Sequence, residues 1–109
     1  MEYTYNTTFI TSRENESKLL DYIYKEIKNK LHLNESPAFN PELKKVMEAG
    51  GENSDDGDTC NIALSVSFEN EEKAHLWHDH ILLPALEDFH LQFGNDALFF
   101  ITLLKNLPL

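Results

Sequence analysis

The sequence predicts an α+β fold whose elements follow one another in the order β-α-β-β-α-β. Three observations indicate this order: an alternating strand at residues 61–68, helical spacing of apolar residues on both sides of it, and a final apolar strand at residues 98–104. With this order, two helices cover one face of a four-stranded antiparallel sheet. The opposite face of the sheet is then left without a helical layer.

The first strand is predicted over Tyr3 to Ile10, a segment rich in Tyr, Thr, Phe and Ile whose side chains alternate between two faces. Thr11 and Glu14 have the spacing of a capping box and are expected to begin the first helix. This helix is predicted from about Arg13 to about Leu33. Its apolar face is formed by Leu20, Ile23, Tyr24, Ile27 and Leu31.

The middle of the chain is predicted to contain two strands and two connections. Asn34 to Pro41 carries two prolines and is a connection, and Glu42 to Ala49 is a weaker strand candidate. Gly50 to Asp58 is an acidic loop, and Asn61 to Phe68 is the clearest strand because apolar and small polar residues alternate along it. The apolar residues of this strand are Ile62, Leu64, Val66 and Phe68.

The second helix is predicted to begin at Asn70, a favourable N-cap, and to end at Gly94. Pro84 lies inside it and removes one backbone hydrogen bond, so a kink or break is expected near His80. The last strand is predicted over Leu98 to Leu104. The apolar residues of the helix recur at helical spacing and are Ala74, Trp77, Ile81, Ala85 and Phe89.

These elements form a ferredoxin-like sandwich, predicted as a single domain over residues 1–109. The last strand is apolar on both of its faces apart from Thr102, so a monomer would expose a large apolar patch on the bare side of the sheet. We therefore expect a homodimer through the open sheet face. Because the first and third strands offer small polar residues there, a partly wet cavity between the facing sheets is expected to hold a small-molecule ligand.

Small polar side chains of the bare face are the candidate ligand-binding residues. Asn6 is the most informative, because asparagine is disfavoured in the middle of a strand and a buried amide must find hydrogen-bond partners. It either bonds to neighbouring strands or contacts a ligand. The full candidate set is Asn6, Thr8, Ser65, Ser67 and Thr102.

Composition excludes several classes of partner. The 9 Lys+Arg and 19 Asp+Glu give a net charge of -10, which repels nucleic acids and anionic membranes, so neither is expected as a partner. No apolar run approaches the roughly 18–20 residues of a membrane span, and Met1 to Ile10 lacks a signal-peptide pattern. Cys60 is the only cysteine, so no intrachain disulfide can form, and a cytoplasmic location is expected.

Four of the five histidines lie in the second helix. His75 and His78 are three residues apart, a spacing at which one helix can offer two ligands to a metal, with Asp79 as an orienting partner. A third ligand would have to come from another element, and a solvated helix flank explains the same pattern. We therefore predict no metal site, and no cofactor is expected.

Three stretches of the sequence are distinctive as a set. They are Tyr5 to Phe9, His80 to Pro84 with Leu86, and Phe93-Gly94 followed by Leu98 to Leu104. Together they resemble a family of short, uncharacterised bacterial proteins, a domain of unknown function in the dimeric α/β-barrel superfamily. The resemblance implies a ferredoxin-like fold and a dimer whose sheets face each other. The superfamily includes cofactor-independent monooxygenases, haem-degrading oxygenases, muconolactone isomerases and ligand-sensing domains.

The same resemblance implies an alternative function. Haem-degrading members use an asparagine on the first strand, a histidine on the second helix and a tryptophan on the third strand. Asn6 with His75 or His78 would fit the first two roles, whereas the third strand offers only Ser65 and Ser67. The alternative is thus a small cofactor-independent or haem-dependent monooxygenase or isomerase.

Overall fold

A computed structural model describes residues 2–32, 40–47 and 58–109 of the protein. Within these residues four strands form one antiparallel sheet in the order β2-β3-β1-β4. The strands are Tyr3–Ser12 (β1), Glu42–Lys45 (β2), Thr59–Phe68 (β3) and Ala97–Lys105 (β4).

Helical segments connect β1 to β2 and β3 to β4. Helix α1 covers residues 13–30 and consists of a 3₁₀ turn Arg13–Asn15, an α-helical part Glu16–Tyr22, a π-helical turn Ile23–Ile27 and a last turn Lys28–Lys30. Helix α2 covers residues 71–85, and α3 is the short helix Phe89–Phe93. The parts of α2 are Glu71–Trp77, a π-helical turn His78–Leu82 and Leu83–Ala85.

The predicted ferredoxin-like α+β fold is confirmed, with a four-stranded antiparallel sheet and helices packed on one face. Burial alternates along β1, where Tyr5, Thr7 and Phe9 are buried and their neighbours are half-buried. The same alternation runs along β3, so one face of each central strand contributes to the core. That core also contains Leu19 and Trp77 from the helices.

The predicted capping box of Thr11 and Glu14 at the start of helix α1 is wrong. Thr11 belongs to β1, is buried, and donates its hydroxyl to the carbonyl of Asp96 at 2.8 Å. The residue that precedes the helix is Ser12, whose side chain makes no capping hydrogen bond. Thr11 is therefore a strand residue paired with β3 and β4, although the local sequence pattern assigned it to the helix terminus.

Pro84 lies two residues after the π-helical turn His78–Leu82, which contains His80, where the sequence predicted a departure from α-helical geometry. Proline has no amide hydrogen and clashes with the carbonyl four residues earlier, and a π-helical turn is one way for a helix to accommodate this. Helix α2 ends one residue later, at Ala85, and α3 is followed by Gly94 with φ of +54°, a conformation that glycine adopts without strain.

Strand β2 is shorter than the predicted segment Glu42 to Ala49, since it ends at Lys45 and is followed by exposed Val46 and Met47. The predicted helix end at Leu33 lies outside the described residues. So do most of the predicted connection Asn34 to Pro41 and of the predicted loop Gly50 to Asp58. None of the helices in the described ranges combines the length and the apolar character that crossing a bilayer requires.

Asp88, between α2 and α3, connects these helices to α1. Its carboxylate accepts hydrogen bonds from the Tyr22 hydroxyl at 2.9 Å, from Gln92 Nε2 at 3.0 Å and from Lys30 Nζ at 3.3 Å. Burial alone would raise the pKa of Asp88, but these hydrogen bonds outweigh it and hold the pKa below its usual value. Burial, assisted by Asp88, raises the pKa of Tyr22.

Asp88→Ala is expected to lower the free energy of unfolding by about 1–2 kcal/mol near neutral pH, because the Tyr22 hydroxyl loses a charged acceptor at a partly exposed site. A carboxylate whose pKa is lowered in the folded state stabilises that state at pH values above its unfolded pKa of about 3.9. This contribution to the free energy of unfolding disappears as the pH falls through the folded-state pKa. Urea unfolding of both proteins should therefore show a difference at about pH 7 that becomes smaller as the pH falls below the unfolded pKa of about 3.9. A difference that stays constant with pH would contradict this assignment.

Candidate functional site

The face of the sheet away from the helices is built from alternate residues of all four strands, and we call it the open face. Strand register places Asn6 between Ser65 and Thr102, and Thr8 between Ala63 and Phe100. The five predicted ligand-binding residues therefore all lie on this face. Its residues are Thr4, Asn6, Thr8 and Ile10 from β1, Glu42 and Lys44 from β2, Asn61, Ala63, Ser65 and Ser67 from β3, and Leu98, Phe100, Thr102 and Leu104 from β4.

Small polar side chains form hydrogen bonds along the two central strands of the open face. The Ser65 hydroxyl donates to Asn6 Oδ1 at 3.0 Å, and Asn6 Nδ2 donates to Thr8 Oγ1 at 3.0 Å. The hydroxyl groups of Thr4 and Ser67 are also 3.0 Å apart. These bonds explain how asparagine is accommodated in mid-strand, because its half-buried amide is paired on both sides.

Strand β4, at one edge of the sheet, gives the open face an apolar band. In the single chain Leu98 is 43% exposed, Phe100 is 58% exposed and Leu104 is 46% exposed. Thr102 is the polar member of this row and lies beside Asn6. The band and the polar central strands together form one continuous surface, since register makes them direct neighbours.

Charge is sparse on the open face, although the whole chain has a net charge of -10. Among its strand residues only Glu42 and Lys44 are charged, and both belong to the edge strand β2. Lys44 Nζ lies 2.9 Å from Glu42 Oε2, so the pair is neutral as a unit. A surface with this composition resembles the core of an interface rather than an ordinary solvated surface.

The histidines that the sequence singled out lie on the other side of the sheet. The Tyr5 side chain is buried under the helices, its hydroxyl is 3.2 Å from His75 Nδ1, and the His78 ring stacks on it with centroids 4.8 Å apart. Asn6 is the next residue in β1 and therefore points the opposite way. The structure thus does not bring Asn6 together with His75 or His78, because the sheet separates them.

Acidic neighbours pair with both histidines at the surface of α2. His75 Nε2 lies 3.3 Å from Glu71 Oε1, and His78 Nδ1 lies 2.9 Å from Asp79 Oδ1. The hydrogen bond from His78 lowers the pKa of Asp79. The pKa of Tyr5 is raised, mainly by burial and to a smaller extent by the nearby carboxylates of Asp79 and Glu71. Within the described ranges, no cluster of three or more His, Cys, Asp or Glu side chains has the geometry to hold a metal ion.

Sequence reasoning missed two members of the open face that matter chemically, Lys44 and Phe100. Leu43 faces the core. Because side chains alternate along a strand, Lys44 then faces the open side and Lys45 faces the helices. Phe100 was assigned to an apolar strand without a preferred side. Its pairing with Thr8, which fixes the side, depends on strand register.

Comparison with known proteins finds no matching family model and no matching curated protein. Solved structures do match over nearly the whole chain. The de novo designed protein Foldit4 has a TM-score of 0.57 at 9% identity and covers 98% of this chain and 100% of its own. The protein At3g17210 from Arabidopsis thaliana has a TM-score of 0.53 at 17% identity, covering 96% of this chain and 97% of its own.

A third match is the de novo designed protein LFR1 1, which is described as having the ferredoxin fold. Its TM-score is 0.50 at 17% identity, with 99% of this chain and 89% of that chain covered. The fold is ferredoxin-like. At these identities the likeness concerns the ferredoxin-like architecture alone, and activity has to be argued from the open face.

Proposed function

We propose that the chain is a homodimer of the dimeric α/β-barrel type, in which two open faces enclose a cavity that binds a small organic ligand. The observation that carries this proposal is the apolar band of Leu98, Phe100 and Leu104 on a face whose described strand residues include only one ion pair. A monomer would leave this surface in water, and patches of this kind in soluble proteins mark interaction sites. The resemblance to the dimeric α/β-barrel superfamily favours a second copy as the partner.

The energy of covering the apolar band is substantial. Full burial of a leucine or phenylalanine side chain contributes roughly 1.5–3 kcal/mol, and about half of each side chain is still exposed in the protomer. Covering all three side chains is then worth on the order of 2–4 kcal/mol per protomer, and a two-fold interface gains this twice. The gain offsets much of the roughly 4–15 kcal/mol that association costs in lost freedom.

The central strands explain why the interface would hold a ligand. Thr4, Thr8, Ala63, Ser65 and Ser67 are short, so two such surfaces facing each other leave space that their side chains cannot fill. Hydroxyl groups in that space need partners, which water or a ligand supplies. Small polar groups within an apolar frame are typical of ligand pockets.

The alternative of a monooxygenase or isomerase has less support. It requires Asn6 and a histidine of the second helix in one pocket, whereas His75 and His78 contact Tyr5 across the sheet from Asn6. We therefore propose binding without assigning a reaction.

Light scattering on the purified protein at micromolar concentration tests the assembly, with twice the chain mass as the expected result. A thermal-shift screen of small organic compounds tests the cavity, because a ligand that binds only the folded dimer raises the melting temperature. A monomer mass over the whole concentration range would contradict the proposed dimer. A dimer that no compound stabilises would contradict ligand binding and leave the dimer intact.

A further inference from the structure

We infer that the open face binds a small organic carboxylate, with the acid group between Lys44 and Thr8 and the apolar body against Phe100. This inference rests on the proposed function, since the second protomer provides the cover of the site. It adds the chemical class of the ligand, which follows from one row of residues across the sheet. We call the row Lys44, Ala63, Thr8 and Phe100 the acid-binding row.

Strand register fixes the geometry of the acid-binding row. Ala63 is paired with Lys44 on one side and with Thr8 on the other, and Thr8 is paired in turn with Phe100. Neighbouring strands lie about 4.8 Å apart, so the backbones of Lys44 and Thr8 flank Ala63 at similar distances, and a group above Ala63 lies between a lysine side chain and a threonine side chain. The methyl side chain of Ala63 leaves the space above it free.

Hydrogen-bond directions make Thr8 a donor toward this space. Ser65 donates to Asn6 and Asn6 donates to Thr8 Oγ1, so the Thr8 oxygen already accepts a bond. Within the described part of the chain the Thr8 hydroxyl group donates to no protein acceptor, so its proton is available to an incoming oxygen. A chain of donors of this kind strengthens the last donor in it.

Lys44 supplies the charge. Its ammonium group has three N–H donors, and Glu42 at 2.9 Å accounts for one partner. The Lys44 side chain is 74% exposed in the protomer, and exposed ion pairs are weak, so a ligand oxygen can share the ammonium with Glu42. One shared cation and one hydroxyl suit a singly charged carboxylate better than a doubly charged phosphate.

The remainder of the row suits an apolar ligand body. Phe100 is two strands away from Ala63, about 10 Å across the sheet, and its ring is 58% exposed. An acid with an aromatic ring two or three bonds from the carboxyl group reaches from Ala63 to this ring. Two aromatic rings at that position prefer offset or edge contacts, which adds to the apolar burial.

The test compares 3-phenylpropionate with its neutral analogue 3-phenylpropanamide, by calorimetry and thermal shift on the full-length protein. The native protein is expected to bind the acid more tightly than the amide. Lys44→Met should weaken acid binding about tenfold, as loss of a charged hydrogen bond does, and leave amide binding unchanged. Glu42→Gln should strengthen acid binding, because it replaces the competing carboxylate by a neutral amide, which is a weaker acceptor for Lys44 and carries no negative charge.

The matched control is Lys45→Met. Lys45 is the next residue, but it lies on the helix-covered side, where its Nζ is 2.8 Å from Glu16 Oε1. This variant should bind the acid as the native protein does. Equal binding of acid and amide, or an equal effect of Lys44→Met and Lys45→Met, overturns the inference. Light scattering on the same samples separates this outcome from failure of the proposed dimer, since a dimer without acid preference overturns the ligand class alone and a monomer overturns both.

Discussion

Phe100→Asp is expected to convert the proposed dimer to a monomer at concentrations where the native protein is expected to pair. Each Phe100 ring is 58% exposed in the protomer, so two rings lose burial when both copies carry the change. That loss is about 2–3 kcal/mol, and two carboxylates would in addition have to give up water inside an interface. We expect the dimer dissociation constant to rise at least about 100-fold, measured by sedimentation equilibrium over a dilution series.

Leu91→Asp is the matched control for this experiment. Leu91 is an exposed apolar residue, 88% accessible, but it lies in the short helix α3 on the other side of the sheet. The same kind of charge at this position should leave the dissociation constant unchanged. Circular dichroism checks that both variants fold. Dissociation by both variants, or by neither, would place the interface elsewhere than on the open face.

The composition of the open face was largely accessible from the sequence, because it depends on strand alternation. Asn6, Thr8, Ser65 and Ser67 share a face whenever β1 and β3 are extended and their apolar residues point toward the core. Alternation does not say which residues are direct neighbours. The hydrogen bonds from Ser65 to Asn6 and from Asn6 to Thr8 depend on register, which turns and packing decide.

The position of the histidines could not be obtained in the same way. Helical spacing shows that His75 and His78 flank the buried residues Ala74 and Trp77, but not which strand residue they contact. That depends on the rotation and position of α2 over the sheet, which packing of the whole core determines. Sequence patterns therefore did not predict that Tyr5 contacts both histidine rings.

The two lysines of β2 show a related limit. Lys44 and Lys45 are adjacent and chemically identical, yet one faces the open side and the other pairs with Glu16 on the helix side. Their sides follow from Leu43 once the strand is known to be extended there. Because the predicted strand was longer than the observed one and its register was open, the sequence did not separate the lysine on the open face from the lysine on the helix side.

Phe89→Ala is expected to cause the largest loss of stability among the changes considered. The Phe89 side chain is fully buried, and its ring lies 4.9 Å from Phe93, 5.2 Å from Phe99 and 5.7 Å from Phe9, centroid to centroid. Removing a buried phenylalanine costs about 3–5 kcal/mol, through lost burial and the cavity that remains. Small domains are stable by only about 5–15 kcal/mol, so the variant should unfold at much lower urea concentration.

The size of this effect tests how the second helical region is arranged. The chain leaves helical geometry after Ala85, and this break lets α3 bring Phe89 over β1 and β4. Leu91→Ala, two residues later in the same short helix but exposed, should change the free energy of unfolding by less than about 0.5 kcal/mol. Both variants must be compared at one protein concentration, because formation of the proposed dimer would add to apparent stability. If Phe89→Ala costs no more than Leu91→Ala, α3 does not pack on the sheet, and the break after Pro84 has no part in building the core.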